Sequence, residues 1–480
     1  MQQVNRSKQD TSKTARLLKN TGILAIGGFS SKILVFLLVP FYTAFLTTEE
    51  YGSYDIIYNT VSLMAPILTL NISEALLRFP MEKDADISRI ARIGLTLTIV
   101  SVIPVVVVQL IPDTPWGSIA GISWLAALYA SFTLYQSLTL LARGLERMMD
   151  IAIAGIASAI ILVVLNVVFL LFFECGLDGF FAANVASLAL PAFWLLWRMR
   201  TEVFAPVRKT QTGLLSQMVK YSLPLATATI GWWLIGTSDR YIVLAFCGME
   251  ANGLYSIAYR IPSVISTVAS IFIQAWQVSA VKEFDPKDTD GFLRKTYASI
   301  ESLIVLLCSV LILLSPVIAI IMFSGDFYEA WVYVPLLLVY AALNAMGGMW
   351  APFFSASYAS ATMAYSTLLA GVVNIILAIP LVIVFGVQGA CLSSVLAGLA
   401  NWGFRAIRVR RYVEVDFGIR HSLFLYAVLT VQALTMCTNL LTITVLIIEV
   451  ICAVLLLFAC RREIHYGVEA FVGKIKGKKM

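Results

Sequence analysis

The chain has 480 residues, of which 60% are hydrophobic and 13% charged. A water-soluble domain averages roughly 45–50% apolar and 25% charged residues, so this composition excludes a single soluble core and requires many segments dissolved in lipid. The formal net charge of +6 is therefore read by position, as the Lys and Arg bias of membrane loops, and not as a nucleic-acid-binding surface. The seven cysteines form no C-x-x-C pair and read as lipid-facing or packed thiols.

A spanning helix needs about 20 apolar residues. The basic N-terminus is followed by an apolar run from Thr21 to Leu46, too long for a signal sequence and without a small-x-small cleavage site, so it is expected to be a retained first span. Fourteen spans are predicted in all. The first six centre near Leu34, Ala65, Val102, Tyr129, Val163 and Leu188. The next six centre near Ile230, Thr267, Leu311, Val339, Ile375 and Val395, and two more near Val428 and Val450. Pro40, Pro66, Pro224, Pro262 and Pro380 are expected to break spans, which membrane helices tolerate where neighbours satisfy the freed backbone groups.

The loops set the orientation. With the N-terminus inside, 31 of the 34 Lys and Arg residues fall in inside segments, Arg405, Arg408, Arg410, Arg411 and Arg420 among them. The outside loops carry acids: Glu49, Glu50, Asp113, Glu174, Asp178, Glu250, Asp326 and Glu329. This alternation predicts a multi-pass protein of the inner or plasma membrane with both termini cytoplasmic. Tail lysines 474, 476, 478 and 479 read as a topogenic or anionic-lipid-binding patch.

The chain also repeats itself. Gly52-Ser-Tyr54-Asp-Ile56-Ile-Tyr58 recurs 201 residues later as Gly253-Leu-Tyr255-Ser-Ile257-Ala-Tyr259, and Gly176-Leu-Asp-Gly179 is echoed by Gly386-Val-Gln-Gly389. Six spans return the chain to its starting side, so the copies share an orientation and form a parallel repeat. The predicted organisation is an N-lobe at 1–205, a C-lobe at 206–412, and two further helices with a basic tail at 413–480.

Three bases fall outside the inside segments: Lys32, Arg240 and Arg260. A charge at mid-bilayer costs about 2.5–3.5 kcal/mol on insertion scales, so each needs a reason. At about 1.5 Å per residue, Lys32 sits roughly 16 Å into its span and Arg260 roughly 12 Å. Both are candidate ligands for an anionic headgroup, Arg through its planar fork and Lys as a point charge, with a buried ion pair as the structural alternative. Arg240 is expected near the outer surface, beside Asp239, as a gate or a salt-bridged pair. Asp55 is read as an interfacial carboxylate, with Asp55 and Asp239 the candidates for ion coupling. Glu74 and Arg78 are expected to pair one turn apart. No acid is placed at mid-depth. Trp232, Trp233 and Trp276 are candidates for stacking on sugars, with packing or interface roles placed first. There is no H-x-x-x-H spacing for zinc and no G-x-x-x-x-G-K-[ST] loop, so neither a metal nor direct ATP use is expected.

Taken in order, several motifs resemble the polysaccharide-export branch of the multidrug/oligosaccharidyl-lipid/polysaccharide flippase superfamily. They are Ser31-Lys32-Ile-Leu, Glu50-Tyr51-Gly52-x-Tyr54, and Leu70-Asn-Ile-Ser-Glu74-Ala-Leu-Leu-Arg78-Phe79. In the second lobe they are Ser238-Asp239-Arg240-Tyr241-Ile242, Gly253-x-Tyr255-x-x-x-Tyr259-Arg260-Ile-Pro262 and Gly386-Val-Gln-Gly389. The resemblance implies an all-α polytopic, MATE-like fold. It also implies a flippase that moves polyprenyl-pyrophosphate-linked oligosaccharide units of an O-antigen, capsule, exopolysaccharide or teichoic-type polymer to the outer leaflet by alternating access. It implies a cationic cavity lined by Lys32 and Arg260, no enzymatic activity, and no cofactor beyond H+ or Na+ as a coupling ion. Its partners would be the lipid-linked oligosaccharide, the bilayer and polysaccharide-assembly proteins. Two alternatives remain: an ion-coupled exporter of small molecules on the same fold, and a membrane polysaccharide polymerase or ligase. The latter usually presents a large outer loop with catalytic Arg or His, which this chain lacks.

Overall fold

The computed structural model describes residues 36–463, apart from 83, 112–118, 207–212, 283–287, 290, 358 and 439–441. The described residues are all-α, with no strand among them, and form two compact units, Met1–Trp233 and Leu234–Met480.

The first unit contains α1 (Val39–Phe45), α2 (Thr48–Leu68), α3 (Ile72–Arg78), α4 (Ile87–Val100), α5 (Val102–Leu110), α6 (Leu125–Gly144), α7 (Met148–Asn166), α8 (Gly176–Arg198) and α9 (Arg200–Val203). The unit boundary falls within α10 (Leu214–Cys247), a helix of 34 residues. The second unit continues with α11 (Met249–Ala258), α12 (Arg260–Lys282), α13 (Phe292–Leu313), α14 (Ser315–Met322), α15 (Val334–Met349) and α16 (Ala351–Ala356). It ends with α17 (Ser360–Phe385), α18 (Val387–Val409), α19 (Ile419–Met436) and α20 (Thr442–Ala459). Every predicted span centre except Leu34 lies on one of these helices; Leu34 lies outside the described residues. Among the described residues, eight helical segments are long and apolar enough to cross a membrane, or nine if the bent pair Thr48–Leu68 plus Ile72–Met81 is taken as one span.

Local chemistry explains the starts and breaks. Thr47 and Glu50 form a reciprocal capping box at the start of α2, with the Thr47 N–H donating to Glu50 Oε2 at 2.8 Å and the Glu50 N–H to Thr47 Oγ1 at 3.2 Å. The second predicted span then bends by 66° between α2 and α3. The bend is made by Leu70 and Asn71, whose φ values of 54° and 53° are left-handed. For residues other than glycine that region costs roughly 1–2 kcal/mol each, so surrounding contacts must hold it. The eighth span breaks at Tyr259, where Pro262 cannot donate to the Ala258 carbonyl. Pro224 and Pro380, by contrast, lie inside uninterrupted helices. Arg78 pairs with Glu82 at 3.6 Å, one turn onward, and not with Glu74 as the sequence suggests. The pair forms across the end of α3.

The sequence repeat is a structural repeat. Gly176 and Gly386 both adopt positive φ, 53° and 58°. Gly179 and Gly389 follow as points of close approach: a Cβ at Gly179 would meet the Phe169 Cβ at 2.9 Å, and one at Gly389 the Leu381 carbonyl oxygen at 2.0 Å. In the first unit one core cluster joins Ile72, Leu76, Leu141 and Leu195 to Leu214 and Met218 of α10. In the second, Trp350 stacks on Tyr297 at 4.4 Å and meets Phe417 edge-on at 4.9 Å.

Candidate functional site

The two tyrosines that open the repeat motif have different partners. Tyr54, on α2, donates from its hydroxyl to Asn184 Oδ1 on α8 at 2.8 Å, against the rings of Phe180 and Phe181. Tyr255, on α11, donates to Asp239 Oδ2 on α10 at 3.2 Å. The same oxygen accepts from Ser394 on α18 at 2.7 Å, and Oδ1 accepts from Asn374 on α17 at 2.5 Å. Asn184 and Ser394 are equivalent positions, each eight residues beyond the first glycine of its echo. Asp239 is 6% exposed, so this carboxylate is enclosed by neutral donors from three helices. Each such charge-assisted bond is worth about 1.5–3 kcal/mol, which together offsets much of the cost of burying the charge.

Arg240 follows on the same helix. Its guanidinium lies 5.2 Å from the Tyr259 ring centre and 6.0 Å from that of Tyr255, and its Nη1 donates to the Gly236 carbonyl at 3.3 Å. The sequence puts Arg240 near the outer surface, but α10 continues for seven residues beyond it, to Cys247. That is about 10 Å of further helix. Arg260 is the first residue of α12, at the break, and half-buried. Lys32 lies outside the described residues.

Asp55 is 9% exposed and accepts from Asn59 Nδ2 at 3.0 Å, so it is buried within the first unit. Two tryptophans considered for sugar stacking serve packing: Trp233 Nε1 donates to the Asn59 carbonyl at 3.0 Å, and Trp276 Nε1 to the Met349 carbonyl at 3.0 Å.

The second unit holds two buried acids that the sequence reading does not single out. Glu301 is 2% exposed, and it accepts from Tyr426 at 2.6 Å and Ser422 at 2.9 Å. Glu449 is 1% exposed, and it accepts from Gln432 at 2.9 Å and Thr435 at 2.8 Å. Gln432 in turn donates to the Ser309 carbonyl, so α19 is tied to both α13 and α20. Glu449 is the one charge in the apolar run Thr442–Ala459, a signal the sequence did carry.

Arg405 also departs from its predicted inside loop. It lies within α18, 4% exposed, and donates to Ser366 at 2.7 Å, Thr367 at 2.8 Å and the Gly347 carbonyl at 2.8 Å. The Gly347 carbonyl belongs to the last turn of α15, where backbone acceptors lack helical partners and the helix dipole is negative. The guanidinium therefore caps that helix end.

A family model described as "Polysaccharide biosynthesis protein" matches residues 17–278. No curated protein sequence matches the chain. Among solved structures, the lipid II flippase MurJ in an inward-closed conformation aligns with TM-score 0.60 and 14% identity, over 93% of this chain and 99% of that one. An inward-facing multidrug resistance MATE family transporter of the MOP superfamily aligns with TM-score 0.62 and 14% identity, over 81% and 98%. A MOP superfamily transporter from Pyrococcus furiosus, whose title describes a binding pocket of reverse polarity, aligns with TM-score 0.53 and 14% identity, over 82% and 96%. At these identities the likeness is one of fold. With the family model spanning more than half of its length, the chain belongs to the polysaccharide biosynthesis protein family, and it carries the all-helical membrane fold of MOP superfamily transporters.

Proposed function

We propose that this protein is a flippase for polyprenyl-pyrophosphate-linked oligosaccharide units, working by alternating access in the inner or plasma membrane with both termini cytoplasmic. The observation that carries the reading is membership of a polysaccharide-biosynthesis family on a fold shared with a lipid II flippase. Lys32 and Arg260 are the proposed ligands of the pyrophosphate. Supporting this, Arg260 is half-buried at a helix break about 16 Å from the start of α11, where a cation is costly to hold. An ion gradient, H+ or Na+, supplies the drive in this reading. Asp239 is preferred to Asp55 as the coupling group, because its partners converge from three helices, and a change in its charge would be felt by all three. Polysaccharide-assembly proteins would take the unit on the outer side.

The decisive experiment deletes the gene and asks whether polyprenyl-linked oligosaccharide accumulates on the cytoplasmic face. Accumulation is expected, with rescue by the wild type but not by Lys32→Ala or Arg260→Ala at normal abundance. Wild-type polymer export by both variants would remove the cationic-site reading. The buried acids of the second unit favour one other reading, an ion-coupled exporter of small molecules. Binding of cationic dyes that is indifferent to loss of both bases would select it.

A further inference from the structure

The ends of three helices in the second unit gather around one layer of α13. Near the end of α18, Trp402 Nε1 donates to Tyr297 OH at 3.0 Å. Near the start of α19, Ser422 donates to Glu301 at 2.9 Å. Just beyond α20, the Glu463 carbonyl accepts from Ser299 at 3.3 Å. Residues 297–301 thus set a common level for these three helix ends.

Six arginines lie at or beside these helix ends: Arg408, Arg410, Arg411, Arg420, Arg461 and Arg462, all exposed except the half-exposed Arg408. The acids beside them are Glu414 and Asp416, which are exposed, and Glu463, which is half-buried. The Asp416 carboxylate already accepts from the Gly418 N–H at 3.0 Å. The cluster is therefore strongly cationic without enough carboxylate to neutralise it.

Its neighbours on the helix side are exposed and apolar. Ile407 is 69% exposed and Phe458 62%. The Arg461 guanidinium lies 4.1 Å from the Phe458 ring centre, and that of Arg408 lies 5.1 Å from the Phe404 ring centre. A cation held over a ring at the edge of an exposed apolar surface is fixed at the depth where lipid phosphates lie.

We propose that the ends of α18, α19 and α20 form a binding surface for anionic glycerophospholipid headgroups. The guanidinium forks of several arginines would share the phosphates, while the exposed apolar side chains receive the acyl chains. The surface is separate from the transport residues, and it depends on the orientation proposed above only for which leaflet supplies the lipid.

The test uses the purified full-length protein in a neutral detergent, with thermal unfolding as the readout. Palmitoyl-oleoyl phosphatidylglycerol and tetraoleoyl cardiolipin should raise Tm, while palmitoyl-oleoyl phosphatidylcholine should not. Raising salt from about 0.1 M to 1 M shortens the screening length from about 10 Å to 3 Å, and should remove most of the rise. A variant combining Arg408→Gln, Arg410→Gln, Arg411→Gln, Arg461→Gln and Arg462→Gln should bind the anionic lipids about tenfold more weakly or worse. If that variant does not insert, Arg461→Gln with Arg462→Gln should still lose part of the shift. Equal stabilisation by phosphatidylcholine, a shift unaffected by salt, or a full shift in the variant that does insert would overturn the proposal. So would stabilisation by a polyprenyl pyrophosphate in the absence of any phosphatidylglycerol effect, which would assign the surface to transport substrate instead. The readout is independent of oligosaccharide accumulation, so failure here leaves the flippase reading untouched.

Discussion

The two units solve the same local problem in different ways. Each places the tyrosine of a repeated motif against the helix that follows a repeated glycine pair. In the first unit Tyr54 meets Asn184 directly, and the contact closes with a neutral amide. In the second, Asp239 lies between Tyr255 and Ser394, and Asn374 takes its other oxygen. At the 201-residue offset of the motif, the first-unit counterpart of Asp239 is Leu38, which is buried and apolar. At the 210-residue offset of the glycine echo, the counterpart of Arg405 is Leu195, fully buried in the core. At these two positions one scaffold carries apolar packing in one copy and charges held by neutral partners in the other. Buried charges are costly and transmit electrostatic change, so the second copy is where ion-dependent behaviour should concentrate.

The largest expected effect tests that asymmetry. Asp239→Ala should lower transport by about 100-fold or more, equivalent to about 2.7 kcal/mol of barrier. Tyr54→Phe in the first unit should leave transport within about threefold, a change of less than about 0.7 kcal/mol. Equal losses in the two variants, measured by polymer export at matched abundance, would erase the functional difference between the copies.

Next come the glycines. Gly389→Ala drives a Cβ into the Leu381 backbone and should destabilise by about 3 kcal/mol or more. Gly179→Ala meets Cβ atoms of Cys175 and Phe169 and should cost nearer 1–2 kcal/mol. Thermal unfolding of the two variants in one detergent should rank them in that order; the reverse ranking would refute the difference in close approach.

Arg405→Ala leaves the Gly347 carbonyl and two buried hydroxyls without their donor and should cost about 2–3 kcal/mol. Arg405→Leu copies the first unit's solution and should recover part of that loss, since an apolar side chain of similar reach often replaces a buried charge at little cost. A Leu variant no more stable than the Ala variant would show that hydrogen bonding alone, and not filled volume, matters there.

The smallest effect lies at the end of the first unit. There Arg147 pairs with Glu202 and with Asp150 at 3.3 Å, and Arg198 reaches Asp150 at 3.2 Å. Partial burial pushes the Glu202 carboxyl up, but hydrogen bonds from Thr201 and its own backbone, with the Arg147 charge, outweigh this and hold it below the ordinary value. Its contribution is therefore present above the unfolded-state value, about 4.3, and is lost as pH falls through the lowered folded-state value. Glu202→Gln should remove that acid-side slope from thermal unfolding and change stability at neutral pH by less than about 1 kcal/mol.

Much of the fold was legible because lipid imposes a simple grammar. Runs of about 20 apolar residues, charge alternation between loops and paired glycines are one-dimensional signals, and the spans and the repeat follow from them. The environments of individual charges were less legible, because burial depends on partners distant in sequence. Asp239 is held by residues 16, 135 and 155 positions away, and nothing local to Ser238-Asp239-Arg240 reveals them. Arg405 reads as a loop arginine, because its neighbours Arg408, Arg410 and Arg411 are exposed or half-exposed while it alone faces a helix end. Glu449 was visible, as a lone carboxylate in an apolar run, and counting only bases hid it.

The bend at Leu70 and Asn71 has a consequence for membrane thickness. With 21 residues, α2 is about 30 Å long, which by itself matches the hydrocarbon core. Were α3 collinear with it, the span would overshoot by about 10 Å, and the bilayer would have to thicken or the helix tilt. Turning α3 through 66° removes that mismatch without shortening the chain. Straightening the turn would restore the overshoot, so this segment's geometry should respond to acyl-chain length, with thicker bilayers favouring the straighter form.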